Sequence, residues 1–496
     1  MQRDYIKNYE NQSITSDLDS NTALFREIFA KDDILRVRYI DPGGDIRAKC
    51  VLLFMDGMVN ISLLDNSIVR PLVMAKEVRG SENAADFIAE RILFSAEVTK
   101  SGDLYALLRG LLYGDSVLLV EGCDSALIAN TKGWRTRGIS EPSDERVLRG
   151  PREGFDEAAM FSVAMLRRKL QTPDLCVEMV RLGRRSDTNC FICYLGSLAS
   201  PRIVRELKHR IEKLDMDGVL DVNYIAECIR DHPHSLFKTT GTTERPDIVA
   251  AGLLEGRVAL ILDGTPSVMT LPYLFSENFQ SDDDYYLNYA QAAVGRILRY
   301  LCFFLSILIP GFYLALTYHN SFLLPTPLAI SITAARAGVP FSSTVECLLL
   351  ILVFEILKET GLRMPQGVGH ALSIVGGLVI GQAAVEARLV SAPMLIVVAF
   401  SGIAGLMIPR LTGAVTYLRL FIVIMARLAG CTGCITAMLI IAAQLLTMES
   451  FGVDYTGDLL ELDLQGQKDI FMRAPWWTMR RRPFFNHNKI RRGGGR

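Results

Sequence analysis

The chain has 496 residues, of which 50% are hydrophobic and 22% charged, with a mean hydropathy of +0.25. That length exceeds one ordinary soluble domain of roughly 100–200 residues, and that mean fits a soluble part averaged with a membrane part. The formal net charge of −1, from 53 Lys+Arg against 54 Asp+Glu, excludes a globally basic nucleic-acid binder and a disordered acidic chain.

The first residues carry no apolar run of the kind a secretory signal needs, so the chain is expected to start in the cytosol. Residues 1–140 read as a first α/β lobe. VRYIDPGG and CVLLFMDGMVN suggest early strands, ENAADFIAERILFSAEVTKSGDLYALLRGLLYG has the three-to-four spacing of helices, and DSVLLVEGCDSALIANTKGW suggests a hairpin around Gly122-Cys123-Asp124. The polar stretch 135–150 reads as a linker between lobes. Residues 148–285 read as a second α/β lobe. It would have an amphipathic helix ending in Arg167-Arg168-Lys169, a strand pair turning at Arg184-Arg185-Ser186-Asp187, and a helix capped by Ser200 with Pro201 in its first turn. A further strand pair would turn at Asp263-Gly264-Thr265-Pro266. No repeat with a period of about 20–50 residues is visible.

Ten cysteines are scattered along the chain, and two CxxC pairs occur, Cys190/Cys193 and Cys431/Cys434. Neither has a second pair at zinc-finger spacing, so reduced thiols are expected, and no metal or cofactor. On a strand, Cys190 and Cys193 point to opposite faces. Nucleotide-binding, metalloprotease and serine-hydrolase signatures are missing, so no enzyme activity is expected. Asp282-Asp283-Asp284 reads as a solvated helix start.

Near residue 290 the composition changes. Residues 290–448 read as an all-α polytopic membrane domain of five or six helices, followed by a basic tail over 449–496. RILRYLCFFLSILIPGFYLALTYHN holds no charge between Arg299 and His319, enough to cross a bilayer. Further apolar stretches cover 341–357, 368–385, 391–409 and 415–448. The interval 321–339, with Pro325, Pro327 and Arg336, reads as interfacial or re-entrant. Positive charge at Arg296, Arg299, Lys358, Arg363, Arg410 and Arg419 marks the cytosolic side. The last 24 residues carry eight Lys+Arg and no acid, which places the tail on the same side, lying on anionic lipid through its basic and aromatic residues. Both ends inside require an even number of crossings. Either 321–339 spans or 415–448 reverses as a hairpin near Gly430-Cys431-Thr432-Gly433, and the sequence leaves both open.

Polar residues inside the spans are the candidate functional groups, because burying charge in hydrocarbon is costly. The charges inside the spans are Arg336, Glu346, Glu355, Arg419 and Arg427, and of these Arg336, Glu346, Glu355 and Arg427 are candidates for intramembrane ion pairs. Glu346 and Glu355 are nine residues apart and so face opposite ways on a helix. The segment 368–385 is rich in small residues, with Gly377 and Gly381 spaced as GxxxG. It is either a tight packing helix or a pore-lining one, with Ser373, Gly377, Gly381 and Gln382 along the ion pathway.

Several strings then carry a resemblance. They are Arg149-Gly150-Pro151-Arg152-Glu153-Gly154-Phe155, Leu182-Gly183-Arg184-Arg185, Asp215-Met216-Asp217-Gly218, Thr243-Glu244-Arg245-Pro246-Asp247 and Leu254-Glu255-Gly256-Arg257-Val258-Ala259. In the membrane half, Ala335-Arg336-Ala337-Gly338-Val339-Pro340-Phe341 and Ser373 to Ala383 follow. In this order the chain resembles the A subunits of the GerA-type spore germination receptors, a region that the SpoVAF-like paralogue shares. The resemblance implies a subunit of a nutrient receptor in the inner spore membrane. Its implied partners are a transporter-like B subunit and a C-type lipoprotein, and it implies self-association into an ion channel that opens on nutrient binding, with no nucleic-acid partner. A solute transporter and a membrane-anchored enzyme with a cytosolic catalytic domain are the competing classes.

Overall fold

A computed structural model describes residues 9–41, 48–75, 84–133, 145, 149–363, 379–460, 466–479, 482 and 485, less positions 11, 96 and 380. The N-terminal half holds two antiparallel five-stranded sheets. The first runs β1 (Leu35–Ile40), β2 (Cys50–Met55), β4 (Ser116–Val120), β5 (Ala126–Ala129), β3 (Val98–Ser101). The second runs β6 (Leu175–Leu182), β7 (Thr188–Leu195), β9 (Val258–Leu262), β10 (Val268–Leu271), β8 (Gly241–Thr243).

These are the same topology twice. Leu35 pairs with Met55 and Leu175 with Leu195, and Cys50 pairs with Val120 and Cys190 with Leu262. Residue numbers therefore differ by 140 in the first two strands of each sheet. They differ by 142 further on, where Ser101 pairs with Ala126 and Thr243 with Val268. Helix α1 (Leu18–Ile28) precedes the first sheet as α3 (Ala159–Lys169) precedes the second, and α2 (Leu104–Leu112) corresponds to α6 (Pro246–Leu254).

The correspondence reaches individual hydrogen bonds. Tyr113, Gly114 and Asp115 N–H donate to Gly110, Leu111 and Gly110 C=O, while Glu255, Gly256 and Arg257 N–H donate to Gly252, Leu253 and Gly252 C=O. Ser101 Oγ accepts from Asp103 N–H as Thr243 Oγ1 accepts from Arg245 N–H. The turn glycines Gly114/Gly256 and Gly122/Gly264 are left-handed in both copies, with φ of +88°, +84°, +79° and +95°, a conformation glycine adopts without steric cost.

Each sheet buries one face in a shared core. Val51, Leu53, Val117 and Leu119 meet Phe191, Cys193, Ala259 and Ile261 through Phe25, Leu108, Leu166 and Leu253 of the intervening helices. The other face of the second sheet, with Cys190, Ile192 and Leu260, packs on α4 (Pro201–Glu212) and α5 (Val222–Ile229). Cys190 and Cys193 thus lie on opposite faces, and burial pushes the Cys193 thiol up to about 12. The lobes on either side of the expected linker share one core, because their inner helices interleave. Ser200 stands at the N-cap of α4 but makes no side-chain cap bond, and the helix begins on Pro201.

The C-terminal half is helical. Helix α7 (Tyr289–Leu314) is followed by α8 (Thr326–Arg336), α9 (Ser343–Arg363), α10 (Ala392–Leu406) and α11 (Thr412–Thr447). By length and composition, Tyr289–His319 and Pro409–Thr447 could each cross a membrane, while Ala392–Leu406 is apolar but shorter. The eleven residues of α8 reach only about 16 Å, so this part of the 321–339 interval is too short to span.

Helix α11 is not straight. Its 36 residues would extend about 54 Å, yet both ends meet the same stretch of the second lobe. Arg410 donates to Glu277 C=O at 3.0 Å and to Asp282 at 3.1 Å, and past the other end Ser450 Oγ accepts from Tyr273 N–H at 3.1 Å. The middle lies at the far end of α7, where Cys431 N–H donates to Asn320 Oδ1 at 3.2 Å. Gly430, at φ +61° and ψ −138°, reverses the chain. Of the two openings left by the sequence, the hairpin at 430–433 is the one the fold adopts.

Candidate functional site in the helix bundle

Helix α7 enters the bundle through charge. Asn288 caps it by accepting from Ala290 N–H. Arg296 is fully buried. It donates to Asp284 at 3.2 Å and to Asp469 at 3.0 Å, and Arg299 also pairs with Asp284. The acidic triplet opens a short 3-10 helix, as expected, but its last member is not solvated: Asp284 is 2% exposed and anchors arginines about two to three helical turns into α7. Nearby, Arg257 pairs with Glu277, and Asp458 accepts from Ser276 Oγ–H. Burial holds the Asp458, Glu277 and Asp282 carboxyls above the usual carboxylate range. Aromatic packing closes this junction. Phe279 stacks on Tyr300 at 4.0 Å, and Phe275 meets Tyr455 edge-on at 5.9 Å.

Within the bundle, one cation is enclosed. Arg419 of α11 is 2% exposed. Its Nε donates to Ser306 C=O at 3.0 Å, and its Nη2 to Ser306 Oγ at 3.1 Å and to Ser401 C=O at 3.2 Å. Ser401 Oγ–H also donates to Ser306 C=O at 2.9 Å. Arg419 Nη1 has no hydrogen-bond partner and stands 3.9 Å from Glu355 Oε1. Glu355 also accepts from Thr416 Oγ1–H at 2.9 Å and pairs with Lys358. This polar cluster joins α7, α9, α10 and α11. Arg419 is one of the charges inside the spans that the sequence marks as candidates; its serine partners carry no signal, because serine in an apolar helix is unremarkable alone.

A second polar point joins α8, α9 and α10. Glu346 is fully buried and accepts from Ser391 N–H and Oγ–H, both at 2.6 Å. Its other oxygen lies 3.8 Å from Arg336 Nε, and neither atom has a hydrogen-bond partner. Glu346 and Glu355 thus serve different clusters. Arg427 pairs with no described carboxylate, which corrects the expected ion pair. It donates to Tyr318 Oη at 2.8 Å and lies over that ring at 3.8 Å, beside the Gly430 reversal and away from both glutamates.

Of the expected pore residues, Ser373 and Gly377 lie outside the described residues. Gly381 faces α10, since a Cβ there would meet Leu395 at 3.6 Å, and Gln382 is exposed. Among the described residues no group of three or more His, Cys, Asp or Glu side chains could hold a metal.

A family model described as Bacillus/Clostridium GerA spore germination protein matches residues 23–485. Spore germination protein KA of Bacillus subtilis (strain 168) is 37% identical over 94% of this chain and 86% of its own length. Spore germination protein B1 of the same organism is 33% identical over 95% of this chain and 98% of its own. A crystal structure of the N-terminal domain of the A subunit of the Bacillus megaterium spore germinant receptor GerK3 is 28% identical, covering 53% of this chain and 98% of that one, with a TM-score of 0.43.

Proposed function

The chain belongs to the GerA family of spore germination proteins, and from that premise we propose that it is the membrane-embedded A-type subunit of a nutrient-gated germination receptor. In this reading it is a multi-pass protein of the inner spore membrane with both termini cytosolic. It assembles with further copies of itself and with a transporter-like B subunit and a C-type lipoprotein, and the complex releases monovalent cations when nutrient binds. The basic tail rests on anionic lipid, and the paired sheets serve assembly rather than catalysis.

The observation that carries the channel reading is the Arg419–Ser306–Ser401–Glu355 cluster, a buried cation shared by four helices. Intramembrane charge is expensive and marks ion pathways or the devices that gate them. The half-satisfied Arg336–Glu346 pair is a second such device, two groups close enough to pair fully after a small shift. The small-residue segment with Ser373, Gly377, Gly381 and Gln382 lines the pathway. Nutrient shifts the closed–open equilibrium by its differential affinity for the two states.

The test is cation efflux from vesicles holding the complete receptor, triggered by nutrient. Gln382→Leu and Gly381→Leu should block or unlock efflux while the complex still co-purifies. Glu355→Gln should change the nutrient concentration for half-maximal efflux several-fold. Unchanged efflux in all three would refute the channel assignment.

A further inference from the structure

The duplicated fold leaves its two copies with different outer edges. In the second copy the outward side of β6 is filled by residues 31–33, the turn leading into β1. Val177 N–H donates to Lys31 C=O at 3.0 Å, Asp33 N–H donates to Val177 C=O at 2.9 Å, and Met179 N–H donates to the Asp33 carboxylate at 2.7 Å. Asp32 runs parallel to Val177. Its buried carboxylate is held by Arg167, which also donates to Thr172 C=O at 2.9 Å and Leu175 C=O at 3.2 Å. Together β6 and Arg167 form a socket for an acidic extended segment.

The first copy carries the corresponding residues. The buried positions Leu18, Asn21, Thr22 and Phe25 of α1 correspond to Ala159, Ser162, Val163 and Leu166 of α3. That register puts Arg26 where Arg167 stands. On the strand, Val37 corresponds to Val177 and Tyr39 to Met179. Yet β1 is the end strand of its sheet, and no described residue pairs with the outward side of Val37 or Tyr39. Arg26 is exposed, 5.9 Å from the ring of Tyr39, itself 55% exposed. An uncovered edge strand is a template for strand addition.

We propose that β1 and Arg26 form a docking site for an extended acidic segment of a different protein. That segment would place a carboxylate on Arg26 and, at the next residue, a free N–H on Val37 C=O. In a second copy of this chain neither of the two corresponding turns supplies it. Its Asp32 and Asp33 are seated on its own β6, and the corresponding turn of its second repeat is Gln171-Thr172-Pro173, with no acid and no N–H at the third position.

The probe is a fluorescein-labelled peptide with the sequence of residues 29–35, FAKDDIL, titrated against the full-length protein in lipid nanodiscs and read by anisotropy against empty nanodiscs. Saturable binding is expected, weakened at least tenfold by Arg26→Ala and unaffected by Arg185→Ala at a distant exposed position. Changing both peptide aspartates to asparagine, or methylating the second aspartate's amide nitrogen, should also weaken it at least tenfold. No saturation at millimolar peptide, or equal affinity for the Arg26→Ala protein, would overturn the proposal; the latter places the peptide on β6 by displacing residues 31–33. A fall in oligomer mass on Arg26→Ala in sedimentation would overturn it in favour of self-pairing.

Discussion

Buried charge is handled differently on the two sides of the junction, and single residues show how. No described arginine is hydrogen-bonded to Asp458. Its carboxylate accepts from Ser276 Oγ–H and from Leu459 N–H, and burial raises its pKa above the ordinary aspartate value of 3.8. A raised folded pKa means that the native state holds the proton longer than the unfolded chain. The stabilisation is therefore complete below about pH 4 and is lost as pH rises through the folded value. Thermal midpoints measured from pH 4 to 7 should fall less steeply for Asp458→Asn than for the parent, since the amide oxygen still accepts from Leu459 N–H, its Nδ2 can donate to Ser276 Oγ, and it cannot titrate. Identical slopes would remove Asp458 from the account. Arg419 is the opposite case, a cation enclosed by two carbonyls and a hydroxyl. Arg419→Ala leaves those acceptors unpaired in an apolar bundle and should cost about 3–5 kcal/mol, seen as a large loss of thermal stability in detergent. The sequence marks Arg419 as a charge inside a span, but no spacing rule names Ser306 and Ser401, 113 and 18 residues away, as its partners.

At the scale of elements, periodicity was enough for most of the chain. The strand pairs at 116–129 and 258–271 were readable from alternation and turn residues, and α7 from its uninterrupted apolar run. What periodicity could not decide was the direction of the chain after 412, because a reversal inside an apolar helix changes one residue's backbone and little of the composition. Gly430 makes that change. Its φ and ψ are accessible essentially to glycine alone, and a Cβ there would lie 2.8 Å from Asn320 Oδ1 and from His319 Cβ. Three residues on, a Cβ at Gly433 would stand 2.0 Å from Met425 C=O. Gly430→Ala should therefore cost about 1–3 kcal/mol and loosen the hairpin tip, read as faster amide exchange over 425–436 while β1 to β5 keep their protection. Unaltered exchange at the tip would mean that the reversal tolerates a side chain.

For the whole molecule, the question is how a cytosolic domain and a helix bundle move together. The duplication was invisible at a period of 20–50 residues because its period is about 140, and its identities are mostly the glycines and leucines that any α/β turn employs. Its consequence is mechanical: the two sheets share one core, so the domain has no seam at the expected linker across which it could flex freely. The yielding surface is instead the junction, where one stretch, 271–284, touches the bundle at three places. It holds α7 through Asp284, the turn before α11 through Glu277 and Asp282, and the segment after α11 through Tyr273 and Ser276. Among the described residues, Arg410 alone ties the α10–α11 turn to this stretch by ion pairing. Arg410→Met keeps much of the side chain's volume and removes its charge, leaving Asp282 without its partner and the Glu277 carbonyl without its donor. Hydrogen exchange should then accelerate over 271–284 and 409–412, with the two sheets unchanged. If the domain and the bundle are coupled through this stretch, the same variant should also shift the nutrient concentration for half-maximal cation efflux. Accelerated exchange with an unmoved response would show the junction to be a rigid mount and would move the coupling to another part of the assembly.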